Sequence, residues 1–119
     1  MSQSRKRRGR DSERIVQRFW LPWFPRARVV PASLPGADLT GTGRFAVEVK
    51  ARNRLDIGAW MKQAASRPGL PVLIIRLNMT GESSVSRWPV VIPHWLFMRL
   101  AHEAGYTEGD GPREATEGI

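Results

Sequence analysis

The chain has 119 residues, 41% of them hydrophobic, and no cysteine, which suits one domain with one core and excludes disulfide scaffolds, Cys-ligated zinc and thiol nucleophiles. Nineteen Lys and Arg against 11 Asp and Glu leave a net charge of +8, which calls for a polyanionic partner, nucleic acid first and an anionic membrane surface second. No apolar run reaches the roughly 18 residues a membrane span needs, and the basic N-terminus lacks the apolar segment of a secretory signal, so a cytoplasmic protein is expected.

Residues 1–8 read as a flexible basic arm, a single domain as 9–105, and the Gly- and Glu-rich stretch 106–119 as a flexible tail. Within the domain a first helix is expected over about 10–20, capped by Asp11 or Ser12, with Ile15, Val16, Phe19 and Trp20 as its apolar stripe. At about 100° per residue, Glu13 falls at the edge of that stripe, near Trp20. Pro22 and Pro25 end the helix.

Arg28 to Val30 reads as a short strand and Pro31 to Gly36 as a loop. Ala37 to Thr40 and Arg44 to Ala51 read as two strands of a hairpin turned by Gly41-Thr42-Gly43. In the second strand Phe45, Val47 and Val49 share one face, and Ala46, Glu48 and Lys50 the other. Asp56 caps a second helix over about 57–66, striped by Ile57, Trp60, Met61, Ala64 and Ala65 and stopped by Arg67-Pro68-Gly69. The apolar run in Pro71 to Leu77 suits a strand buried on both faces. Gly81 to Ser84 reads as a turn. Arg87 to Ile92 is a further strand, placed at a sheet edge by Pro89, and Pro93 opens a last helix. The order predicts a mixed α/β domain, a central sheet flanked by helices.

The two histidines, His94 and His102, are too few for a His-rich metal site, and His94 at a helix start reads as structural. Any metal would be held by carboxylates, which favours magnesium, with manganese as a substitute. If the three-residue loop pairs Thr40 with Arg44, Asp38 lies opposite Ala46 and shares a face with Glu48 and Lys50. Asp38 and Glu48 then become diagonal neighbours, roughly 7–8 Å apart at Cα. A register shift of one residue would send Asp38 to the other face. In the favoured register the two carboxylates converge on one cation, and Lys50 can orient an attacking water and offset developing negative charge. Those are the parts that phosphodiester hydrolysis needs. Glu13 brings an extra acid from the first helix. Arg5, Lys6, Arg7, Arg8 and Arg10 form one basic cluster, while Arg52 and Arg54 extend another beyond the acids; both suit DNA phosphates.

Gly36-Ala37-Asp38, ten further residues and Glu48-Val49-Lys50 resemble the PD-(D/E)xK nuclease signature, with Ala37 where Pro is common. Within that superfamily the chain looks most like archaeal-type Holliday-junction resolvases and related small bacteriophage nucleases. The matching text includes Gly9 to Arg14, Arg28 to Ser33, Ala37 to Gly41, Val47 to Lys50 and Pro71 to Ile75, over about residues 9–92. The resemblance implies a restriction-endonuclease-like fold, a mixed central sheet flanked by helices. It also implies magnesium-dependent cleavage of branched DNA by a homodimer, in a bacterial or phage-infected cell. Carried over, Asp38 and Glu48 are metal ligands, Lys50 the catalytic lysine, Glu13 an additional acidic residue, and Ser33 a serine near the scissile phosphate. Related nucleases can carry a glutamine where Gln63 stands, though a solvated helix position is the better reading.

Trp20 and Trp23 could stack on an unpaired base but read better as packing residues, as does Trp60. Trp95, Leu96 and Phe97 offer an exposed apolar surface for a dimer. No nucleotide-cradling glycine motif and no Ser-His-Asp arrangement is present, so no nucleotide cofactor is expected. The expected function is an endonuclease acting on branched or four-way-junction DNA. The alternatives are a restriction-type, repair or nicking nuclease with the same chemistry, and a non-catalytic DNA-binding protein.

Overall fold

A computed structural model describes residues 2–112, with side chains from Arg8 onward. Among these, helix α1 covers Ser2–Trp20, followed by strands β1 (Arg28–Val29), β2 (Leu39–Thr40) and β3 (Phe45–Ala51). Helix α2 (Ile57–Ala65), strand β4 (Leu70–Arg76), a 3-10 helix (Glu82–Arg87), strand β5 (Val90–Val91) and helix α3 (His94–Glu103) complete the order. The domain is therefore mixed α/β, with two sheets flanked by helices. No helix among the described residues is long and apolar enough to cross a membrane.

β4 is the centre of the larger sheet, parallel to β3 from Phe45 opposite Leu70 to Ala51 opposite Arg76, and antiparallel to β5. Its first six residues are buried, as the unbroken apolar run predicts for a strand covered on both faces. β5 lies at the edge, next to Pro89, which has no N–H to give a ladder. The main core joins Val47 and Val49 of β3 and Val72 and Ile74 of β4 with Ile15 and Val16 of α1, Leu39 and Trp88.

An aromatic cluster fixes the end of α1 against the start of β3. Trp20 stacks on Phe24 with ring centroids 5.1 Å apart, and both meet Phe45 edge-on at 6.2 Å. Gln17 Nε2 donates to Ala27 O at 3.0 Å on the same side of the helix. Seven residues make almost two turns, so Glu13 lies on the helix face that Trp20 anchors. At the other end of the sheet Arg76 ties β4 to α1, donating to Asp11 Oδ2 at 3.1 Å and Ser12 Oγ at 3.0 Å while lying over the Trp88 ring.

Several expectations are corrected. α1 starts at Ser2, not near residue 10, so its backbone runs through the segment expected to be a flexible arm. Arg, Lys and Gln are good helix formers, and Gly9 alone is too weak a breaker to stop them. Asp11 and Ser12 are consequently interior and cap nothing: Asp11 pairs with Arg76, and Ser12 Oγ bonds back to Arg8 O at 2.6 Å. β2 pairs with β1 and not with β3, so the expected regular hairpin ladder is absent among the described residues. The 81–84 turn extends into the 3-10 helix, and the strand read over 87–92 shortens to Val90–Val91. Leu96 is fully buried, leaving Phe97, with Met98, as the exposed apolar part of α3. Trp23, expected to pack, is 67% exposed. Asp56 does cap α2, accepting from Ala59 N at 3.3 Å. Residues 106–112 form no helix or strand, and 113–119 of the expected tail lie outside the described residues.

The turn before β3 is held by one close approach. Gly41 has φ +75°, and a Cβ there would overlap the Arg26 carbonyl. Gly41→Ala is expected to destabilise the fold by about 1–3 kcal/mol, from the left-handed strain alone. Chemical denaturation checks this, and an unchanged midpoint would contradict the packing of this turn.

Candidate functional site

Three acids meet at the open edge of β3. Arg44 O accepts Leu70 N–H at 2.7 Å, so at the start of β3 the even-numbered peptide groups face β4. In the parallel pairing that follows, Val47 and Val49 turn their peptide groups to the other side. Asp38 occupies that side. Its N–H donates to Val47 O at 2.9 Å, and its Oδ2 accepts Val49 N–H at 2.8 Å. The carboxylate thus replaces the carbonyl that a neighbouring strand would offer. Asp38 therefore sits one residue out of the expected register, bonded to Val47 and not opposite Ala46. The parity argument would then turn it away from Glu48. It stays close because it closes the strand edge with its side chain instead of pairing as a ladder residue.

Glu48 lies between those two valines on the opposite face of β3, across from Leu73, and is only 1% exposed. Burial pushes its carboxyl above the usual range, and the charge of Asp38 adds to this. A hydrogen bond from Arg67, Nε to Oε1 at 3.2 Å, pulls in the other direction. Glu13 is half-buried at the same place, pushed from 4.5 up to about 7. Its burial is the main cause and the charge of Asp38 the next, while Arg10, one turn earlier on α1, opposes both; Glu48 and a hydrogen bond with Asp38 raise it further. Asp38 thus raises the proton affinity of both glutamates.

No family model matches this chain, and neither does any curated protein or solved structure.

No three His, Cys, Asp or Glu side chains among the described residues form a ready-made metal group. Asp38 and Glu48 are the pair that could hold a hard cation, since magnesium keeps several waters and takes one or two protein carboxylates beside substrate phosphate. The chemistry of the set fits such an ion. The mutual repulsion of neighbouring carboxylates is what a divalent charge would relieve. Lys50 is half-buried on the Glu48 face of β3 by alternation, and among the described residues it has no ion-pair partner within 4 Å.

The other expected residues fall outside this cluster. Ser33 is exposed in the loop after β1, and no hydrogen bond among the described residues joins it to the acids. Gln63 is exposed on α2, as the solvated reading holds. β3 ends at Ala51, so Arg52 does not continue its alternation; its Nη1 turns back to Ala51 O at 3.2 Å, and Arg54 is exposed beyond it. Arg10 is exposed beside Glu13, while Arg8 is half-buried, with Nε and Nη2 buried and unpartnered among the described residues. The side chains of Arg5, Lys6 and Arg7 lie outside the described residues.

Sequence reasoning missed Arg67. It follows the end of α2 and reads as part of a helix stop. The available signal was its position one residue before Pro68-Gly69, where the chain must turn back to start β4 beside β3. Gly69, at φ +109°, lets that turn pass with only 2.8 Å between its missing Cβ and Arg44 O.

Glu13 predicts a pH signature in metal-free protein. Its folded pKa is raised, so the folded state holds a proton that the unfolded chain has lost. The contribution is favourable below about pH 4.5 and is lost as the pH rises to about 7. Glu13→Gln removes this titration. Melting in EDTA should show the variant gaining on the wild type across that window, and parallel pH profiles would refute the placement of Glu13.

Proposed function

We propose that this chain is a divalent-metal-dependent DNA endonuclease acting on branched DNA, with the restriction-endonuclease-like architecture that its sequence resembles. The observation that carries the reading is the convergence of Glu13, Asp38 and Glu48 at the edge of β3, with Lys50 two residues along the same strand. Fold stability gains nothing from three acids crowded together, and hydrolysis of a phosphodiester can use them.

In this reading Asp38 and Glu48 hold magnesium, or manganese in its place. When bound, the ion polarises the phosphoryl group and activates a water. Asp38 is aimed by Val49 N–H, which fixes the direction of its carboxylate. Lys50 Nζ offers a hydrogen bond and positive charge to the attacking water and to the negative charge that builds on the phosphoryl oxygens. Water adds to phosphorus, the P–O bond to the leaving sugar oxygen breaks, and that oxygen takes up a proton. Glu13, from a different element, adjusts the charge around Asp38. Its high proton affinity suits it to hold or pass a proton near neutral pH. The net charge of +8 supports binding to nucleic-acid phosphates, and a homodimer acting in the cytoplasm would bring two such sites to paired strands of a junction.

Incubation with a four-way DNA junction and a linear duplex in magnesium tests the reading. Cutting of the junction alone is expected. Equal cutting of the duplex would shift the substrate to duplex DNA, and binding without cutting in magnesium or manganese would overturn the enzyme. Asp38→Asn keeps an oxygen to accept Val49 N–H, and Glu48→Gln keeps one for Arg67. Each should lower cleavage at least about 100-fold without unfolding the protein or weakening junction binding. Near-normal cleavage by either folded variant would contradict the assignment. Junction affinity should also fall steeply with salt, as phosphate-bound counterions are released, and a flat salt response would count against a phosphate-tracking surface.

A further inference from the structure

Glu48 is 1% exposed and has one cationic partner among the described residues, the Arg67 guanidinium. The Arg67 side chain is 28% exposed against 2% for that of Glu48, so Arg67 is the part of the pair that meets solvent. In this arrangement a hydrated cation cannot touch Glu48. Arg67 also lines an open cleft of about 290 Å³, walled by Pro35 to Ala37, Leu39 to Gly43, Ala46 and Pro68. Arg67 is therefore the residue common to the Glu48 ion pair and to the cleft, which none of the three acids lines. It is bound to Glu48 through Nε. The N–H groups at its end are the ones that suit a phosphate, because the planar fork matches that anion with two parallel bonds.

The geometry points to Arg67 as an exchangeable partner. It holds Glu48 in the cation-free protein. When Glu48 is taken by a divalent cation, the guanidinium turns into the cleft and binds a phosphate of the nucleic-acid backbone. The cation half of this exchange rests on the metal reading proposed above; the phosphate half rests on the Arg67–Glu48 pair and the cleft. Cation and nucleic acid then favour each other through one side chain, and by linkage each raises the affinity of the other by the same factor.

The phosphate half is tested without metal, by measuring binding of a fluorescent four-way DNA junction in EDTA for wild type, Glu48→Gln, Arg67→Gln and the double variant. Glutamine matches Glu48 in size and is a shorter, uncharged replacement for Arg67, and circular dichroism checks that each variant folds. Glu48→Gln removes the charge that retains Arg67, so it should tighten junction binding about 3- to 10-fold, and the gain should vanish when residue 67 is Gln. An equal gain in the Arg67→Gln background would mean a general charge effect and would overturn the proposal, as would no gain at all. The cation half is read by titration calorimetry with calcium and with manganese. Arg67→Gln should bind these ions about 10-fold tighter than wild type in the absence of DNA. Unchanged affinity would overturn the exchange. Wild type and variant that both ignore the two ions would sink the metal reading itself, with the EDTA cycle still deciding whether Arg67 serves phosphate.

Discussion

The docking of Asp38 onto β3 is the constraint on which the site depends. β2 is two residues long and belongs to a different sheet, so it cannot cover the outer edge of β3. An exposed strand edge leaves peptide groups unpaired, which folded proteins avoid. Asp38 solves this locally, giving its own N–H to Val47 and its carboxylate to Val49. The solution has an electrostatic consequence. A charge is now fixed beside Glu48, which β3 buries for its own reasons of alternation, and beneath Glu13, which the Trp20, Phe24 and Phe45 cluster keeps in place. Backbone satisfaction, side-chain alternation and aromatic packing, none of them functional in itself, together bring three acids to one spot.

What the sequence made legible follows from how local each signal is. The buried run of β4 and the alternation of β3 depend only on neighbouring residues, and both appear where expected. Glu13 at the edge of the α1 stripe was equally readable, because helical periodicity places it without reference to the rest of the chain. The hairpin register was not. It assumed that β2 and β3 pair with each other, whereas β2 pairs with β1, and which strand a two-residue segment joins is decided by tertiary packing. Asp38 reaches the acids by a route that parity could not give, through its own side chain. Arg67 was hidden for a related reason. Its partner lies 19 residues earlier in the chain, and only the parallel pairing of β3 with β4 brings them together. The start of α1 lies earlier than the cap residues suggest, because the basic residues before them have the propensity to extend a helix.

The distribution of ion pairs separates ordinary acids from unusual ones. Asp11 is held by Arg76, Glu82 by Arg18 and Glu103 by Arg99, each next to a cation at the surface or its margin. Asp11 and Glu13 are two residues apart on one helix, about 200° around its axis. That rotation separates an acid that ties α1 to β4 from an acid that faces other carboxyls. In a chain with 19 basic residues, cations to pair with Glu13 and Asp38 were not scarce.

Local rules broken without gain to the fold mark a place where something other than stability has been kept. Here Arg67 offsets Glu48 and Arg10 offsets Glu13, while burial raises the proton affinity of both glutamates. Neutral side chains of similar shape could close the edge of β3 equally well, since an amide oxygen at position 38 would still accept Val49 N–H. The hydrogen bond therefore accounts for an oxygen at that position and leaves the charge unexplained. A charge at position 38 suits something positive at the site, and Arg67, the cation bonded to Glu48 among the described residues, also lines the neighbouring cleft.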